Sequence, residues 1–176
     1  MARFIPSIED SFEKLKNYPK VTDRYYSPYY YINDKGCPTE HHCVLLHTNK
    51  ICLITLAPSH PVVKEKKTIV HLDFQVTSQV DRLENKVRGK GKKGAQHLMP
   101  DSVLCYVICN DGTKYSVFAC VKGKLLEINQ MLLKNPNLMT EKPTSEGFVA
   151  IVLPSLKDLE VCKSSLLTED KYCCEI

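Results

Sequence analysis

The stretch "SVLCYVICNDGTKYSVFACV", Ser102 to Val121, places two apolar runs rich in β-branched and aromatic residues on either side of an Asp-Gly pair. That arrangement is a strong local signal for a β-hairpin, because Asp and Gly accept the left-handed backbone a tight turn requires. The pattern recurs. "HCVLLH" and "KICLITLA" flank Thr48 and Asn49, a candidate two-residue turn, and "TIVHLDFQV" follows the charged turn "VKEKK". Strands are expected again at Val103 to Cys109, Lys114 to Val121, Lys124 to Ile128 and Phe148 to Leu153, with Gly112 and Gly123 at turns. "PSLKDLEVC" and "LLTEDKYCCEI" read as short helices, the second opened by Thr168 with Glu169 and Asp170 in its first turn. The expectation is a mainly β body with short helices at its periphery.

At 176 residues, 43% hydrophobic and 25% charged, the chain is long enough for one domain with a real core. Its longest apolar runs, Val103 to Cys109 and Phe148 to Leu153, fall well short of the roughly 20 residues that span a bilayer. No membrane partner is expected. The start "MARFIPSIED" lacks a long apolar stretch, and Ala2 stands where myristoylation needs glycine, so a nuclear or cytosolic protein is expected. Nine cysteines, an odd number falling inside strand patterns, read as buried thiols rather than a disulfide scaffold. "CPTEHHC" is the nearest approach to a metal site, yet Cys43 and His47 on one strand lie about 13 Å apart. No metal is expected. The terminal "CCEI" departs from a prenylation box, which wants an aliphatic residue where Glu175 stands.

Ser7 and Asp10 approximate a capping box, and Ile8, Phe12 and Leu15 follow on one helical face, giving an N-terminal arm (1–24) with a short amphipathic helix over 7–16. Residues 25–176 form the β domain. "DRYYSPYYY" holds five of the nine tyrosines in an extended segment that suits either a latch on the sheet or a partner surface. Tyr29 and Tyr30 are the candidates for the latter.

The segment 77–101 carries the chain's charge. Lys86, Arg88, Lys90, Lys92 and Lys93 put five positive charges in eight residues, and without them the 24 basic residues fall to 19 against 20 acidic. Within it "GKGKKG" matches G-x-G-x-x-G, but neither a βαβ context nor the Lys-Ser/Thr of a P-loop accompanies it. A flexible basic loop is expected instead. Such a loop attracts RNA or DNA, a membrane surface or an acidic protein through the same unspecific field. It has no aromatic residue to stack on a base, which favours an acidic protein. No nucleophile elbow, zincin helix or Cys-His signature is present, so nothing proposes an enzyme or a small-molecule substrate.

In order, "TEHHCVLLH…ICLITLA", "SHPVV", "IVHLDF", the Asp-Gly hairpin, "CVKGKLLEIN", "SEGFVAIVLPS" and "LLTEDKYCCEI" resemble the glycine cleavage H-protein family across roughly residues 21 to 172. The resemblance implies a lipoyl-like barrel-sandwich hybrid, also called a single hybrid motif, with the basic segment 77–101 as an insertion. In that family a lysine at the central hairpin tip carries lipoate. Aligning on Gly123, Glu127 and Asn129 projects this lysine onto Gly112, with Lys114 two residues later on the returning strand. The resemblance therefore implies no lipoyl cofactor. The motifs are most similar to an actin-binding, transcription-modulating branch. That implies a non-enzymatic protein which binds monomeric or filamentous actin and modulates polymerisation, filopodia and dendrites. It also implies a nuclear-speckle pool beside the cytoplasmic one. The physical expectation for the partner surface is Lys86, Arg88, Lys90, Lys92 and Lys93, with Tyr29 and Tyr30. The alternatives are an RNA-binding module using the basic loop and a degenerate lipoyl carrier with Lys114.

Overall fold

The computed structural model describes residues 21–32 and 39–175. The helix expected over 7–16 lies outside the described residues, as does Cys37. From the start of the described chain, α1 (Val21–Tyr25) runs into β1 (Tyr26–Tyr31), β2 (His42–His47), β3 (Cys52–Leu56) and α2 (Pro61–Lys64). Then come β4 (Ile69–Asp73), β5 (Gln75–Thr77), β6 (Val80–Asp81), β7 (His97–Leu98), β8 (Val103–Cys109), β9 (Lys114–Phe118) and β10 (Gly123–Ile128). The chain closes with α3 (Met131–Lys134), α4 (Leu138–Glu141), β11 (Ala150–Leu153), α5 (Leu156–Ser165), β12 (Leu167–Thr168) and α6 (Glu169–Glu175). An antiparallel sheet ordered β12-β1-β2-β3-β11-β10-β7 faces a smaller sheet ordered β4-β8-β9, and β5 and β6 form a separate hairpin. Among the described residues, no helix is long and apolar enough to cross a membrane.

The two faces of β2 and β3 explain why their sequences read as nearly continuous apolar runs. Val44, Cys52, Ile54 and Leu56 enter the main core with Leu104, Val107 and Val117 of the opposing sheet. The alternate residues Cys43, Leu45 and Leu53 point the other way, into a second cluster with Tyr30 and Tyr172. Strands buried on both sides lose the polar-out alternation that marks a half-exposed strand. In β8 the alternation is interrupted by a register shift between Val103 and Cys105, which lets adjacent Leu104 and Cys105 both be buried.

Turn chemistry corrects two strand boundaries. The β2–β3 connection is longer than Thr48-Asn49: His47 N–H donates to Ile51 O at 2.9 Å, Lys50 N–H donates to His47 O at 2.8 Å, and Lys50 has φ 76°. This is a three-residue turn closed by a left-handed residue, occupied by lysine rather than glycine. Likewise β9 stops at Phe118 instead of continuing to Val121, because Cys120 turns to φ 63°. "TIVHLDFQV" is divided between β4 and β5. The described cysteines are free thiols, with Cys43, Cys52, Cys105, Cys109, Cys120 and Cys162 buried.

Asn129 ties the end of β10 to the approach to β11. Its side-chain amide donates to Glu146 O at 2.7 Å and Phe148 O at 2.8 Å, and its Oδ1 accepts from Met131 N–H at 3.1 Å. The residue is 5% exposed, so water cannot replace these partners when they are lost. Asn129→Ala is expected to lower the unfolding free energy by about 2 kcal/mol. Urea denaturation measures it, and a loss under about 0.5 kcal/mol contradicts this account.

Candidate functional site

The β8–β9 tip is built for turning. Cys109 N–H donates to Thr113 O and Gly112 N–H to Cys109 O, both at 3.0 Å, and Gly112 sits at φ 80°. Asp111 Oδ1 accepts from Thr113 N–H at 2.9 Å, and Lys67 Nζ reaches Asp111 Oδ2 at 2.7 Å. The Lys67 hydrogen bond, assisted by Thr113, holds the Asp111 carboxyl well below the usual carboxylate range. A lysine in place of Gly112 would meet the left-handed penalty of about 1 kcal/mol. Lys114 opens β9, and its Nζ lies 3.8 Å from the centre of the Tyr106 ring. The residues at this tip do not fit a lipoyl arm: the projected position is a left-handed glycine and the nearby lysine is packed along the hairpin.

The basic segment is an ordered lobe, not the flexible loop expected from its glycines and lysines. Arg82, only 8% exposed, donates through Nε to Val103 O at 3.0 Å and through Nη1 to Gln96 Oε1 at 2.7 Å. Gln96 donates its side-chain amide to Asp81 O at 2.7 Å and its N–H to Asn85 Oδ1 at 2.9 Å. Asn85 Nδ2 in turn donates to Leu125 O at 2.9 Å, while Leu125 N–H donates to Gln96 O at 2.8 Å. The lobe thereby occupies the edge of β10 beyond the two residues that pair with β7, which removes an open strand edge.

The "GKGKKG" motif has a structural use. Arg88 and Lys93 exchange backbone hydrogen bonds of 2.9 Å in each direction, and Gly89, Lys92 and Gly94 adopt φ 66°, 50° and 81°. A side chain on Gly94 would run into Lys86 O. The outcome is a small hairpin that presents Lys86, Arg88, Lys90 and Lys93 to solvent, with Lys92 half-buried.

The two candidate tyrosines lie elsewhere. Tyr30 is 7% exposed and stacks on Tyr172 with ring centres 3.9 Å apart and planes 4° from parallel. Tyr172 OH also hydrogen-bonds His41 Nδ1 at 3.0 Å and Ser59 Oγ, which latches α6 onto the sheet. Tyr30 therefore offers little surface. Tyr29, on the other face of β1, is half-buried beside Leu156 and Lys163 of α5. β1 and the β7 edge stand near opposite ends of the strand order, so the structure does not gather tyrosines and lysines into one patch. It does gather lysines that the charge count passed over. Lys122 and Lys124, together with His97 of β7, join Lys90 and Lys92 around one groove. Their sequence signal was the alternation in "CVKGK", where both lysines leave the same side of the chain.

A family model described as glycine cleavage H-protein matches residues 112–176. Protein Abitram of Xenopus tropicalis is 43% identical over 159 residues, spanning 90% of this chain and 87% of that one. The chain belongs to the Abitram family. Protein Abitram of Homo sapiens is 44% identical over 154 residues, covering 88% of this chain and 85% of its own length. Protein Abitram of Drosophila melanogaster is 39% identical over 171 residues, covering 97% and 75%. The crystal structure of a glycine cleavage system H protein from Mycobacterium marinum superposes on this Abitram-family chain with a TM-score of 0.56. It shares 14% sequence identity and covers 84% of this chain and 94% of its own, which shows the common H-protein-like fold.

Proposed function

We propose that the chain is a non-enzymatic actin-binding protein whose basic lobe makes the electrostatic contact with acidic actin and thereby modulates polymerisation. The observation that supports this most is the order of the lobe. Five positive charges concentrated in Lys86 to Lys93 sit on a hairpin held by Arg82, Asn85 and Gln96. A preorganised cluster loses less conformational entropy on binding than a loose loop, and it steers an oppositely charged partner during encounter. Family membership and the resemblance to an actin-binding branch supply the partner. The reading includes a nuclear, speckle-associated pool beside a cytoplasmic one at actin-rich structures. RNA is the competing partner for the same charges, and the lobe's lack of aromatic residues counts against it.

The test is binding of the purified chain to labelled monomeric actin, alone and as the Lys90→Glu/Lys92→Glu/Lys93→Glu variant. Reversing three charges is expected to weaken binding about tenfold or more at ~0.1 M salt, and the parent affinity is expected to fall as salt shortens the screening length. Lys90 and Lys93 are exposed and Lys92 is half-buried, so the variant is expected to keep its fold, which its melting curve checks. Unchanged affinity in the variant removes the lobe from the reading. Absence of saturable binding by the parent removes actin.

A further inference from the structure

The groove between the basic lobe and the start of α5 has a volume of about 450 Å³ and combines two kinds of wall. Its floor is apolar: Leu98, 1% exposed, lies with Leu153 and Pro154, and Met99 stands at the margin with 52% of its surface open. The rim is cationic, with Lys90 and Lys92 from the lobe and Lys122 and Lys124 from β10 and the residue before it, and His97 of β7 stands among them. One carboxylate lines it, that of Asp158, and this group is already engaged by Ser155 Oγ at 2.6 Å and Lys122 Nζ at 3.1 Å. Lys124 Nζ donates to Gly91 O at 2.9 Å, which ties the lobe wall to the sheet wall. Gly123 sets the floor's depth, since a side chain there would come within 2.7 Å of Leu153 O.

We propose that this groove binds a short acidic segment of a partner protein, seating an apolar side chain against Met99, Leu153 and Pro154 while the lysines hold the flanking carboxylates. Charge complementarity selects acidic groups, and the apolar floor selects a side chain that nucleic acid does not have. A polyanion held by phosphates alone leaves Met99 and the floor without a partner, and the groove has no Phe, Tyr or Trp in its lining on which a base could stack, His97 being its one aromatic ring. Methionine is unbranched and adapts to different anchors, so Met99 suits a margin that closes over its ligand. This site goes beyond the actin reading, because it specifies the chemistry of the bound segment whichever protein carries it.

The probe is a fluorescein-labelled dodecapeptide of Asp and Glu with two central leucines, measured by anisotropy at ~0.15 M salt. Controls are the same peptide with alanines for the leucines and a twelve-nucleotide single-stranded RNA. Saturable binding of the leucine peptide is expected, about tenfold weaker for the alanine peptide. Met99→Asp and Lys90→Gln/Lys92→Gln, at exposed Met99 and Lys90 and half-buried Lys92, are each expected to weaken it about fivefold or more. The proposal is overturned by no saturable binding, by equal binding of the two peptides, by unchanged affinity in both variants, or by RNA binding tighter than the leucine peptide. Met99→Asp is also measured on actin. Loss of the peptide with retention of actin leaves the groove and the actin reading as separate sites, and a parent chain that binds the peptide but not actin overturns only the actin reading.

Discussion

Gly147→Ala is expected to lower the unfolding free energy by about 3 kcal/mol or more, the largest effect of any single methyl group in the described chain. Gly147 is buried where the segment after α4 returns to β11, and its N–H donates to Lys142 O at 2.9 Å, closing the end of the helix. A β-carbon there would collide with Leu138 O and lie 2.8 Å from Lys142 O. Both obstacles are backbone, one in a helix whose Leu138 and Met139 are buried and the other at its C-terminal cap, so neither yields as a flexible side chain does. The displacement also passes to Asn129, whose amide holds the carbonyls of Glu146 and Phe148 on either side of the glycine. Urea unfolding of the purified variant measures the effect. A loss below about 1 kcal/mol means that the 142–148 segment relaxes freely, and the account of Asn129 as its anchor weakens with it.

Position 147 shows what a sequence does and does not disclose. "SEGFVAIVLPS" is legible as a strand over Phe148 to Leu153, and its place in an ordered series of motifs identifies the H-protein-like fold. Nothing local indicates that the glycine faces the carbonyl of Leu138. The strands were readable because β-branched and apolar residues dominate both faces of β2, β3 and β8. Their ends were less so, because Lys50 and Cys120 take left-handed conformations that cost only about 1 kcal/mol and carry no residue signature. The basic segment was misjudged as flexible for a related reason. Its order comes from Arg82, Asn85 and Gln96, three polar side chains bonded to backbone atoms of β6, β8 and β10 or to one another. Hydrogen bonds across such sequence distances leave no periodicity. The groove was hidden for the same cause, since Lys122 and Lys124 meet Lys90 and Lys92 only when β7 pairs with β10. The stack of Tyr30 on Tyr172 likewise joins the two ends of the described chain.

Acid is expected to destabilise this fold well above the pH at which its carboxylates protonate. His42 and His60 are both 0% exposed, with ring centres 5.8 Å apart. Phe118 N–H donates to His42 Nε2 at 3.3 Å and Val62 N–H to His60 Nδ1 at 3.2 Å, so each ring carries its proton on the other nitrogen. His60 Nε2 has no hydrogen-bond partner, and His42 Nδ1 makes none of good geometry, feeling only the pull of the adjacent backbone. Burial pushes His42 down to about 4, against the opposing pull of nearby backbone groups. Burial, with the neighbouring His42 and His41 adding to it, pushes His60 down to about 3. Both folded-state values lie below the ordinary 6.5, so the unfolded chain takes up protons that the native chain refuses. The stability these rings permit is therefore fully present above about pH 6.5 and is lost as pH falls towards 4. Each ring contributes a slope of about 1.4 kcal/mol per pH unit, and the pair together about 4 kcal/mol between pH 7.5 and 5. Asp111, whose pKa is also depressed, releases its contribution only below its ordinary 3.8, outside that window. Urea melts at pH 7.5, 6.5, 5.5 and 5.0 measure the slope, and His42→Gln and His60→Asn are each expected to reduce it by about half of the pair's share. Asparagine retains an acceptor for Val62 N–H at the start of α2, so His60→Asn separates the loss of a titrating ring from the loss of a cap. Identical slopes in the parent and both variants would show that the buried rings are not the groups that take up the protons.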